Sequence, residues 1–443
     1  MNSLIDDVTV HKFGGSCLRD STDLSRISSI IEAQKGNAVI VVSALWGATD
    51  RLIRAANEPR YATKLVSDLK KLHIRFSSDI EESIFAKKFA NVLQGIDKSL
   101  LKLSKNPEST VDINTLLAAG ERLSALVVAN ELRKHGLEAH PVGSEDIGIC
   151  LNGVNSASNV DIEKSIKTLD YSAFTGIPVV TGWFGEGLDG QLALLSRGGS
   201  DHSAAAIARI LDAKKLILWK DVDGILSINP RWAVSTNSIP YLGYDEAREL
   251  SRLDAPVIHH TTMIPLKDVG IPIEVRNLNS PINTNAPTII GPNIIESGEI
   301  KAIGCMRSIS CITAQSGDIE DQSKKLGQVL IELDNKNITC WSIKSNPSSV
   351  DIVVSQQQSA LAHNIISKSL PVSNTTNHSC LISFIGTSDN DLVNKKIDYV
   401  TQVSTEMSYL NCTELSVQYI ADTRDIKKLM QDLSQVVVNN KSV

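Results

Sequence analysis

No run of apolar residues in this chain of 443 residues approaches the roughly 18 residues that a membrane-spanning helix needs. Residues 1–7 also lack the basic and apolar parts of a signal peptide, so we expect a cytoplasmic protein. An excess of basic charge is missing as well, because 44 Lys and Arg residues face 50 Asp and Glu residues for a net charge of −6. This dispersed charge argues against a nucleic acid or a membrane surface as a partner.

The cysteines form no C-x-x-C pair and their number, seven, is odd, so reduced and mostly structural thiols are expected. Both common nucleotide-binding signatures, G-x-x-x-x-G-K-[ST] and a complete G-x-G-x-x-G, are absent. Neither Ser200 nor Cys17 has a histidine partner at a recognisable spacing, which leaves a hydrolase triad without support. His259 and His260 are adjacent, but neighbours on a helix point in different directions, and we predict no metal site.

Two glycine turns are the most informative features that are present. A strand over 8–13, with a lysine near its end, runs directly into the turn 14–16. The second turn, 198–199, precedes an Ala-rich helix predicted over 200–211, which Ser200 can cap. Accessible amides, a helix N-terminus and a lysine together favour the binding of a phosphate. Tight turns without a ligand and a solvated lysine at a strand end are the alternatives.

Apolar, β-rich segments alternate with helical patterns up to about residue 277, which predicts an α/β fold with a mainly parallel sheet between helical layers. Strands are predicted at 8–13, 38–43, 177–180 and 216–219, and helices at 113–135, 200–211 and within the charge-rich segment 61–104. Several of these strands end in turns on what should be one edge of the sheet. Ligands bind at that edge in open α/β folds.

Residues 277–298 are rich in Asn, Pro and Gly, which is typical of a boundary between domains. Behind them, two stretches of similar size loosely repeat a βαββ pattern. The predicted strands are 309–314, 339–344, 349–354, 380–385 and 414–419, and the predicted helices are 321–335, 391–405 and 425–436. We therefore predict three domains, at 1–290, 300–370 and 371–443, of which the last two are small α+β modules.

Six short motifs, in order along about residues 8–435, resemble those of the aspartate kinases of the amino-acid-kinase family. The motifs are Lys12–Ser16, Val41–Ala44, Ala119–Arg122, Thr181–Phe184, Arg197–Asp201 and Asp221–Gly224. The resemblance implies the amino-acid-kinase fold followed by tandem ACT regulatory domains. It implies transfer of the γ-phosphate of ATP, with Mg²⁺, to the side-chain carboxylate of L-aspartate for the biosynthesis of lysine, threonine and methionine. It also implies an amino-acid effector at the ACT domains and a homodimer or higher homo-oligomer.

Under this resemblance Lys12 stabilises the transferred phosphoryl group, and Asp201 orients that lysine and the second glycine turn. Glu121 binds the α-ammonium of the acceptor and Arg197 its α-carboxylate. The residues implied to bind the acceptor are Ser43, Thr49, Glu121, Arg197, Gly198 and Ser200. The residues implied to hold the nucleotide are Gly14, Gly15, Ser16, Gly199, Lys220, Asp221, Asp223 and Arg231. Such a site must hold two anions together, because the acceptor carboxylate and the γ-phosphate carry the same sign of charge.

Each of these residues also has a structural interpretation. Glu121 and Asp201 are acidic residues of the kind that the dipole near a helix N-terminus favours, and Arg197 is compatible with a surface turn. Asp221 and Asp223 flank an Asp-Gly turn, whose usual meaning is a loop.

The nucleotide loop departs from the family pattern. Leu226 stands where the family has a tyrosine, and Asn229 where it has an aspartate before proline. Pro256 replaces a nucleotide-contacting lysine and offers neither charge nor a backbone N–H. One lost contact of this kind weakens binding by about 1.5–3 kcal/mol. Lys220 is an addition to the pattern and, with Arg231, can replace part of the lost charge.

The segment 316–322 departs from the glycine-rich effector loop of the family, which puts inhibition by lysine or threonine in question. Two alternatives to an aspartate kinase follow from these departures. One is a kinase of another amino-acid carboxylate on the same fold. The other is a regulatory homologue that binds an amino acid but scarcely turns over.

Overall fold

The computed structural model describes residues 7–196, 198–232, 234–253, 257–280, 286–294, 299–315, 319–400, 407–422 and 425–438. The chain divides into two compact units. The first consists of Met1–Ile225, Pro240–Arg248 and Val257–Pro292, and the second of Leu226–Ile239, Glu249–Pro256 and Asn293–Val443. The domain boundaries proposed near residues 290 and 370 stay predictions.

An eight-stranded sheet forms the centre of the first unit. The strands of this unit are β1 (Val8–Phe13), β2 (Asn37–Val42), β3 (Ala139–Val142), β4 (Ser156–Ala157), β5 (Ile177–Thr181), β6 (Phe184–Glu186), β7 (Leu192–Leu195), β8 (Lys215–Lys220), β9 (Tyr241–Gly243), β10 (Ile273–Asn277) and β11 (Thr288–Gly291). The spatial order is β3-β5-β2-β1-β8-β10-β11-β9, and neighbours are parallel except for β10 and β11. A separate three-stranded sheet has the order β4-β7-β6. The predicted parallel sheet is confirmed.

This unit also contains helices, some packed against the sheet and others against neighbouring helices. They are α1 (Ser21–Glu32), α2 (Ala48–Asn57), α3 (Pro59–Phe76), α4 (Ala86–Leu103), α5 (Thr110–Lys134), α6 (Ile162–Thr168), α7 (Gly199–Ile210), α8 (Tyr244–Arg252) and α9 (Ile264–Lys267). The charge-rich segment 61–104 forms α3 and α4, as predicted. Apolar side chains of α3, α4 and α5, such as Leu69, Phe89 and Leu123, share one core cluster with Ile40 and Val179 of the sheet.

The second unit contains the predicted repeat as two βαββα halves. Its strands are β12 (Ala302–Gln315), β13 (Ser342–Asn346), β14 (Ser349–Ser355), β15 (Val372–Ile385), β16 (Met407–Cys412) and β17 (Ser416–Asp422), and its helices are α10 (Ile319–Asn335), α11 (Ser359–Ser367), α12 (Asn390–Val400) and α13 (Ile426–Val438). The strands form one six-stranded antiparallel sheet in the order β13-β14-β12-β15-β17-β16. The sequence patterns missed β16 and α11. Residues 401–406, predicted as the end of a helix, lie outside the described residues.

No helix among the residues that the structure describes is long and apolar enough to cross a membrane.

Two buried histidines in the first unit are held in the neutral form. His11 lies in β1 beside the rings of Phe13 and Trp219, and its Nδ1 accepts a hydrogen bond of 3.2 Å from the Trp219 indole N–H. His73 of α3 donates from Nδ1 to the Leu69 carbonyl at 2.7 Å. Burial lowers the pKa of His11 and of His73 to about 4 each. A proton on either ring would place an unpaired charge in the core.

Because of the lowered pKa values of His11 and His73, we expect the protein to lose stability in acid. Because each folded-state pKa lies below the ordinary value of 6.5, the unfolded chain takes up protons first, so stability is fully present above pH 6.5 and falls as the pH falls towards 4. Between pH 6.5 and 5 we expect the free energy of unfolding to fall by about 1.6 kcal/mol for each histidine. Urea unfolding at both pH values measures this fall. In His73→Leu the fall should be smaller than in the wild type by the contribution of one histidine.

The exposed His135 provides the control, because His135→Leu changes the same residue type on the surface. A pH-dependent fall of the same size in wild type and in His73→Leu would show that His73 is not responsible.

Candidate active site

Lys12 lies near the carboxyl end of β1, at the centre of the parallel sheet, and only 4% of it is exposed. The first glycine turn follows directly, as a 3₁₀ turn over Gly15–Cys17 with Gly14 before it. A Cβ at Gly14 would lie 3.1 Å from Lys12 Nζ, so the glycine leaves room for the ammonium group. The first amides of such a turn have no partner inside the turn, which makes them available to an anion.

Asp201 is shared by two lysines. It is the third residue of α7, and its Oδ1 lies 2.5 Å from Lys12 Nζ. Its Oδ2 accepts a hydrogen bond of 2.8 Å from Lys220 Nζ. Lys12 and Lys220 reach it from the carboxyl ends of the neighbouring parallel strands β1 and β8. The side chains of Lys12, Asp201 and Lys220 are 6%, 7% and 14% exposed, so this triad is largely removed from water.

The triad carries more positive than negative charge. Burial alone would raise the pKa of Asp201, but the charges of Lys12 and Lys220 outweigh it and hold that pKa well below its ordinary range. Burial lowers the pKa of Lys12, and the charge of Lys220 lowers it further, while Asp201 opposes both effects. One carboxylate therefore neutralises one of two ammonium groups. The remaining charge makes this a site for an anion.

Glu121 lies near the middle of α5, close to the turn after β2. Only 3% of it is exposed, and its Oε1 accepts a hydrogen bond of 3.2 Å from the backbone N–H of Ala44. A Cβ at the preceding Gly120 would lie 2.9 Å from the Ala44 Cβ, which shows how closely helix and turn pack. The position is far from the helix N-terminus, so the alternative that the dipole of the first helical turn explains Glu121 is wrong.

The carboxyl group of Glu121 has an unused acceptor. Its buried Oε2 has no hydrogen-bond partner among the described residues. Burial raises the pKa of Glu121 to about 8, against the opposing effects of the Ala44 amide and of the charges of Lys12 and Arg122. At neutral pH the group is therefore mainly protonated until a cation joins it.

Ser43 and Thr49 lie on the same edge of the sheet. Ser43 follows β2, and its backbone N–H donates to the Phe13 carbonyl at 3.1 Å, which joins the turns after β1 and β2. Thr49 is the second residue of α2, after Gly47 in a left-handed conformation with φ of +75°. Both residues are partly exposed, so a ligand can reach them.

The second glycine turn is shaped by close contacts. Gly198 has a φ of +81° and occupies the N-cap position of α7, where a Cβ would lie 2.4 Å from the ring of His259. A Cβ at Gly199 would lie 2.5 Å from the Leu195 Cβ. Arg197, predicted to bind a carboxylate, lies outside the described residues. Both glycines are therefore required by packing, in addition to any role towards a phosphate.

Ser200 does not cap α7, contrary to the prediction. Because Gly198 takes the N-cap position, Ser200 is the second helical residue, and no side chain caps this helix. Ser200 instead packs against Gly182, where a Cβ would lie 2.8 Å from the Ser200 Cβ. The loop after β5 thus contacts the first turn of α7.

The two aspartates after β8 differ in their surroundings. Asp221 is exposed beside Lys220. Asp223 Oδ1 accepts hydrogen bonds from Asn277 Nδ2 at 2.7 Å and from Ser280 Oγ at 2.9 Å, so Asp223 stabilises the loop after β10. Its predicted contact with a nucleotide stays a prediction.

The remaining residues of the nucleotide loop belong to the second unit. Leu226, Asn229 and Arg231 lie there, with Arg231 exposed in the 3₁₀ turn Pro230–Trp232. The Arg231 backbone N–H donates to Asn229 Oδ1 at 3.0 Å, so Asn229 stabilises this turn. Pro256 lies outside the described residues.

The adjacent histidines and the nearby cysteine have structural surroundings. His259 Nδ1 lies 2.8 Å from Thr261 Oγ1, and the rings of His259 and His260 are 4.3 Å apart. Within the part of the chain that the structure describes, no group of three or more His, Cys, Asp and Glu side chains could hold a metal ion. Cys17 is fully buried, and burial raises the pKa of its thiol to about 11, so it stays protonated.

Sequence reasoning assigned no role to two further groups beside this site. Arg122, next to Glu121, forms an ion pair with Glu145 and lies over the ring of Phe184, 5.2 Å from its centroid. Trp183 has a positive φ of +77°, which is unusual for a residue with a side chain. Both residues stand inside two of the six motifs that resemble the family, 119–122 and 181–184, but their contacts depend on segments distant in the chain.

Comparisons with known proteins show what this chain is similar to. The model of the amino acid kinase family matches residues 7–277. The chloroplastic aspartokinase 2 of Arabidopsis thaliana is 27% identical over 364 residues, which cover 78% of this chain and 66% of that protein. Aspartokinase 3 of Bacillus subtilis is 29% identical over 307 residues, which cover 63% of this chain and 65% of that protein. The chain spans 66%, 51% and 50% of the length of three chloroplastic aspartokinases of Arabidopsis thaliana.

A solved structure extends the likeness to the whole chain. Escherichia coli aspartokinase III, in complex with aspartate and ADP, superposes with a TM-score of 0.81 at 20% identity. The superposition covers 98% of this chain and 100% of that chain. At this identity the likeness shows the fold, including both βαββα halves of the second unit.

Proposed function

The chain belongs to the amino acid kinase family, and from this premise we propose that it is an aspartate kinase. The reaction would transfer the γ-phosphate of ATP to the side-chain carboxylate of L-aspartate and form 4-phospho-L-aspartate, an acyl phosphate for amino-acid biosynthesis. The curated relatives named aspartokinase support this proposal. So does the complex of E. coli aspartokinase III with aspartate and ADP.

The observation that carries the proposal is the buried triad of Lys12, Asp201 and Lys220. Phosphoryl transfer to a carboxylate needs a fixed positive charge where two anions meet, because charge accumulates on the oxygens of the transferring group. The triad has one ammonium charge in excess, in a site shielded from water. Lys12 would contact the transferred phosphoryl group, and Asp201 would hold both lysines in place. The amides of the two glycine turns would bind further phosphate oxygens.

The acceptor would bind beside Glu121. An α-amino acid brings one ammonium and one carboxylate group, and the free Oε2 of Glu121 is suited to the ammonium. Ser43 and Thr49 would line the same pocket, with Gly198 and Ser200 on its other side. Arg197 would bind the α-carboxylate in a bidentate manner.

The raised pKa of Glu121 leads us to expect that aspartate binding depends on pH. With a pKa of about 8 in the empty site, Glu121 must lose its proton to bind an ammonium group. We expect kcat/KM for aspartate to rise about tenfold per pH unit between pH 6 and 7.5 and to level off above pH 8. Glu121→Gln should raise KM for aspartate, leave KM for ATP unchanged and abolish the dependence on pH.

The exposed Glu108 serves as a control, since it lies before the first turn of α5 and Glu108→Gln removes a carboxylate of the same type away from Glu121. A wild-type profile that is flat between pH 6 and 8 would refute this role of Glu121.

The nucleotide would lie against the triad and the loop after β8. Lys220 and the exposed Asp221 would contact it, together with Gly14, Gly15, Ser16 and Gly199, and Asp223 and Arg231 would be further contacts. Mg²⁺ prefers oxygen ligands, and the carboxylate of Asp221 at the end of β8 fits that preference. When bound with the nucleotide, Mg²⁺ would neutralise charge on the phosphates.

The second unit would bind an amino-acid effector and support a homodimer or higher homo-oligomer. The support is the likeness of its two βαββα halves to the corresponding part of E. coli aspartokinase III, which has also been solved in complex with lysine and aspartate. The identity of the effector and a cytoplasmic location stay predictions.

The decisive experiment is an assay of the purified chain with ATP, Mg²⁺ and aspartate, in which hydroxylamine traps the acyl phosphate. Trapped product that requires both ATP and aspartate supports the proposal. Product with another amino-acid carboxylate alone would favour a kinase of a different acceptor. Aspartate binding by calorimetry without any product would favour a regulatory homologue.

A further inference from the structure

Trp183 holds a backbone conformation that residues with side chains rarely adopt. Its φ of +77° lies in the left-handed region, which is strained for a residue with a Cβ. Such a conformation persists only when surrounding contacts determine it. The contacts of Trp183 therefore indicate what this conformation is for.

Three hydrogen bonds hold Trp183, and all of them lead to the two sides of the second glycine turn. Its carbonyl accepts from the Leu195 N–H at 2.8 Å, and its indole Nε1–H donates to the Leu195 carbonyl at 2.8 Å. Its own backbone N–H donates to Ser203 Oγ at 3.0 Å. Leu195 ends β7 just before the turn, and Ser203 lies in α7 just after it.

The indole ring also forms the floor of the turn. A Cβ at Gly199 would lie 2.8 Å from Trp183 Cδ1, so the backbone of the turn rests directly on the ring. Ser203 and Leu195 are almost fully buried, at 1% and 4% exposed. Water therefore does not readily replace the hydrogen bonds of Trp183 to these two residues.

We propose that Trp183 is a positioning residue that clamps the second glycine turn and the first turn of α7, so that Asp201 meets both Lys12 and Lys220. The proposal rests on the proposed phosphoryl transfer for its effect on rate. The clamp acts at Leu195 and at Ser203, on either side of Asp201. A small displacement of this helix start would move the shared carboxylate away from one of its two lysines.

The indole N–H is the part of the side chain that this role requires. A phenylalanine at position 183 would keep an aromatic ring under Gly199 but would remove the donor to the Leu195 carbonyl. Trp183→Phe is therefore the sharp test, because it alters one hydrogen bond and little volume.

We expect Trp183→Phe to lower kcat for acyl-phosphate formation about tenfold at 25 °C, per folded protein. Hydrogen–deuterium exchange of the full-length protein should also become faster in peptides that cover 195–203. Ser203→Ala removes the other anchor, so it should produce the same two changes, and the double variant should be less than additive. Ser203→Ala also serves as the test if Trp183→Phe does not fold.

Trp219→Phe is the matched control. It too deletes a buried indole hydrogen bond, the one to His11, so its melting temperature should fall while kcat stays within twofold and exchange over 195–203 stays unchanged. Unchanged exchange and unchanged kcat in folded Trp183→Phe would overturn the proposal, as would an equal loss of kcat in Trp219→Phe. Should the wild type form no acyl phosphate, the proposed function fails, and the exchange experiment still decides whether the clamp exists.

Discussion

Lys12→Met is expected to reduce kcat by a factor on the order of 10²–10³ while the protein stays folded. The loss follows from the place of Lys12 at the end of β1, where its ammonium would stabilise charge on the transferred phosphoryl group. The fold should survive because Asp201 keeps Lys220 as a partner at 2.8 Å, so the substitution leaves no buried carboxylate without a cation. The measurements are single-turnover acyl-phosphate formation and thermal unfolding.

Lys215→Met is the matched control for this prediction. Lys215 begins the neighbouring strand β8 and pairs with Glu274 at 2.9 Å, at the opposite end of the strand from Lys220. Its loss removes a lysine from the same sheet without touching the triad, and we expect kcat to stay within twofold. If Lys12→Met retained more than a tenth of the wild-type kcat, the assignment of Lys12 to the phosphoryl group would be wrong.

Asp201→Asn is expected to lower the free energy of unfolding by about 3–5 kcal/mol, together with a large loss of activity. The substitution leaves the two buried ammonium groups of Lys12 and Lys220 without their shared counter-charge. Because the pKa of Asp201 is held below its ordinary value of 3.8, the stabilisation that it provides is present at neutral pH and is lost only as the pH falls below that value. Urea unfolding at pH 7 measures the effect.

A second substitution separates stability from activity. Adding Lys220→Thr to Asp201→Asn removes one of the two unpaired charges, so part of the lost stability should return, whereas activity should not. If Asp201→Asn alone unfolded at the same urea concentration as the wild type, the shared ion pair would not stabilise the protein as the geometry indicates.

Several features of the fold could be predicted because they depend on neighbouring residues. The alternation of short apolar strands with helical patterns predicted the parallel sheet, and the same reasoning predicted α3 and α4 in 61–104. The repeat in the C-terminal region also appeared as two halves. These signals are local, since hydrophobic period and turn residues act within one element.

The errors occurred where pairing between strands decided the structure. The strand β15 (Val372–Ile385) begins earlier than the predicted 380–385, because polar residues such as Asn374 and Thr375 pair with β12. No apolar alternation marks this stretch. The prediction that Ser200 caps α7 was wrong because a contact with a distant segment decides where the helix begins. The contact between Gly198 and the His259 ring, which a side chain would prevent, places Gly198 at the N-cap.

The amino-acid sequence by itself determined that Lys12 ends a strand, that glycines follow it and precede α7, and that Glu121 lies on a helix. Only the tertiary structure decided that one carboxylate, Asp201, pairs with two lysines. It also decided that Trp183 forms hydrogen bonds on both sides of the second glycine turn. Those contacts join residues 12, 183, 201 and 220. They depend on strand register and on how α7 packs against the sheet. Patterns of neighbouring residues in the sequence specify neither the register nor this packing.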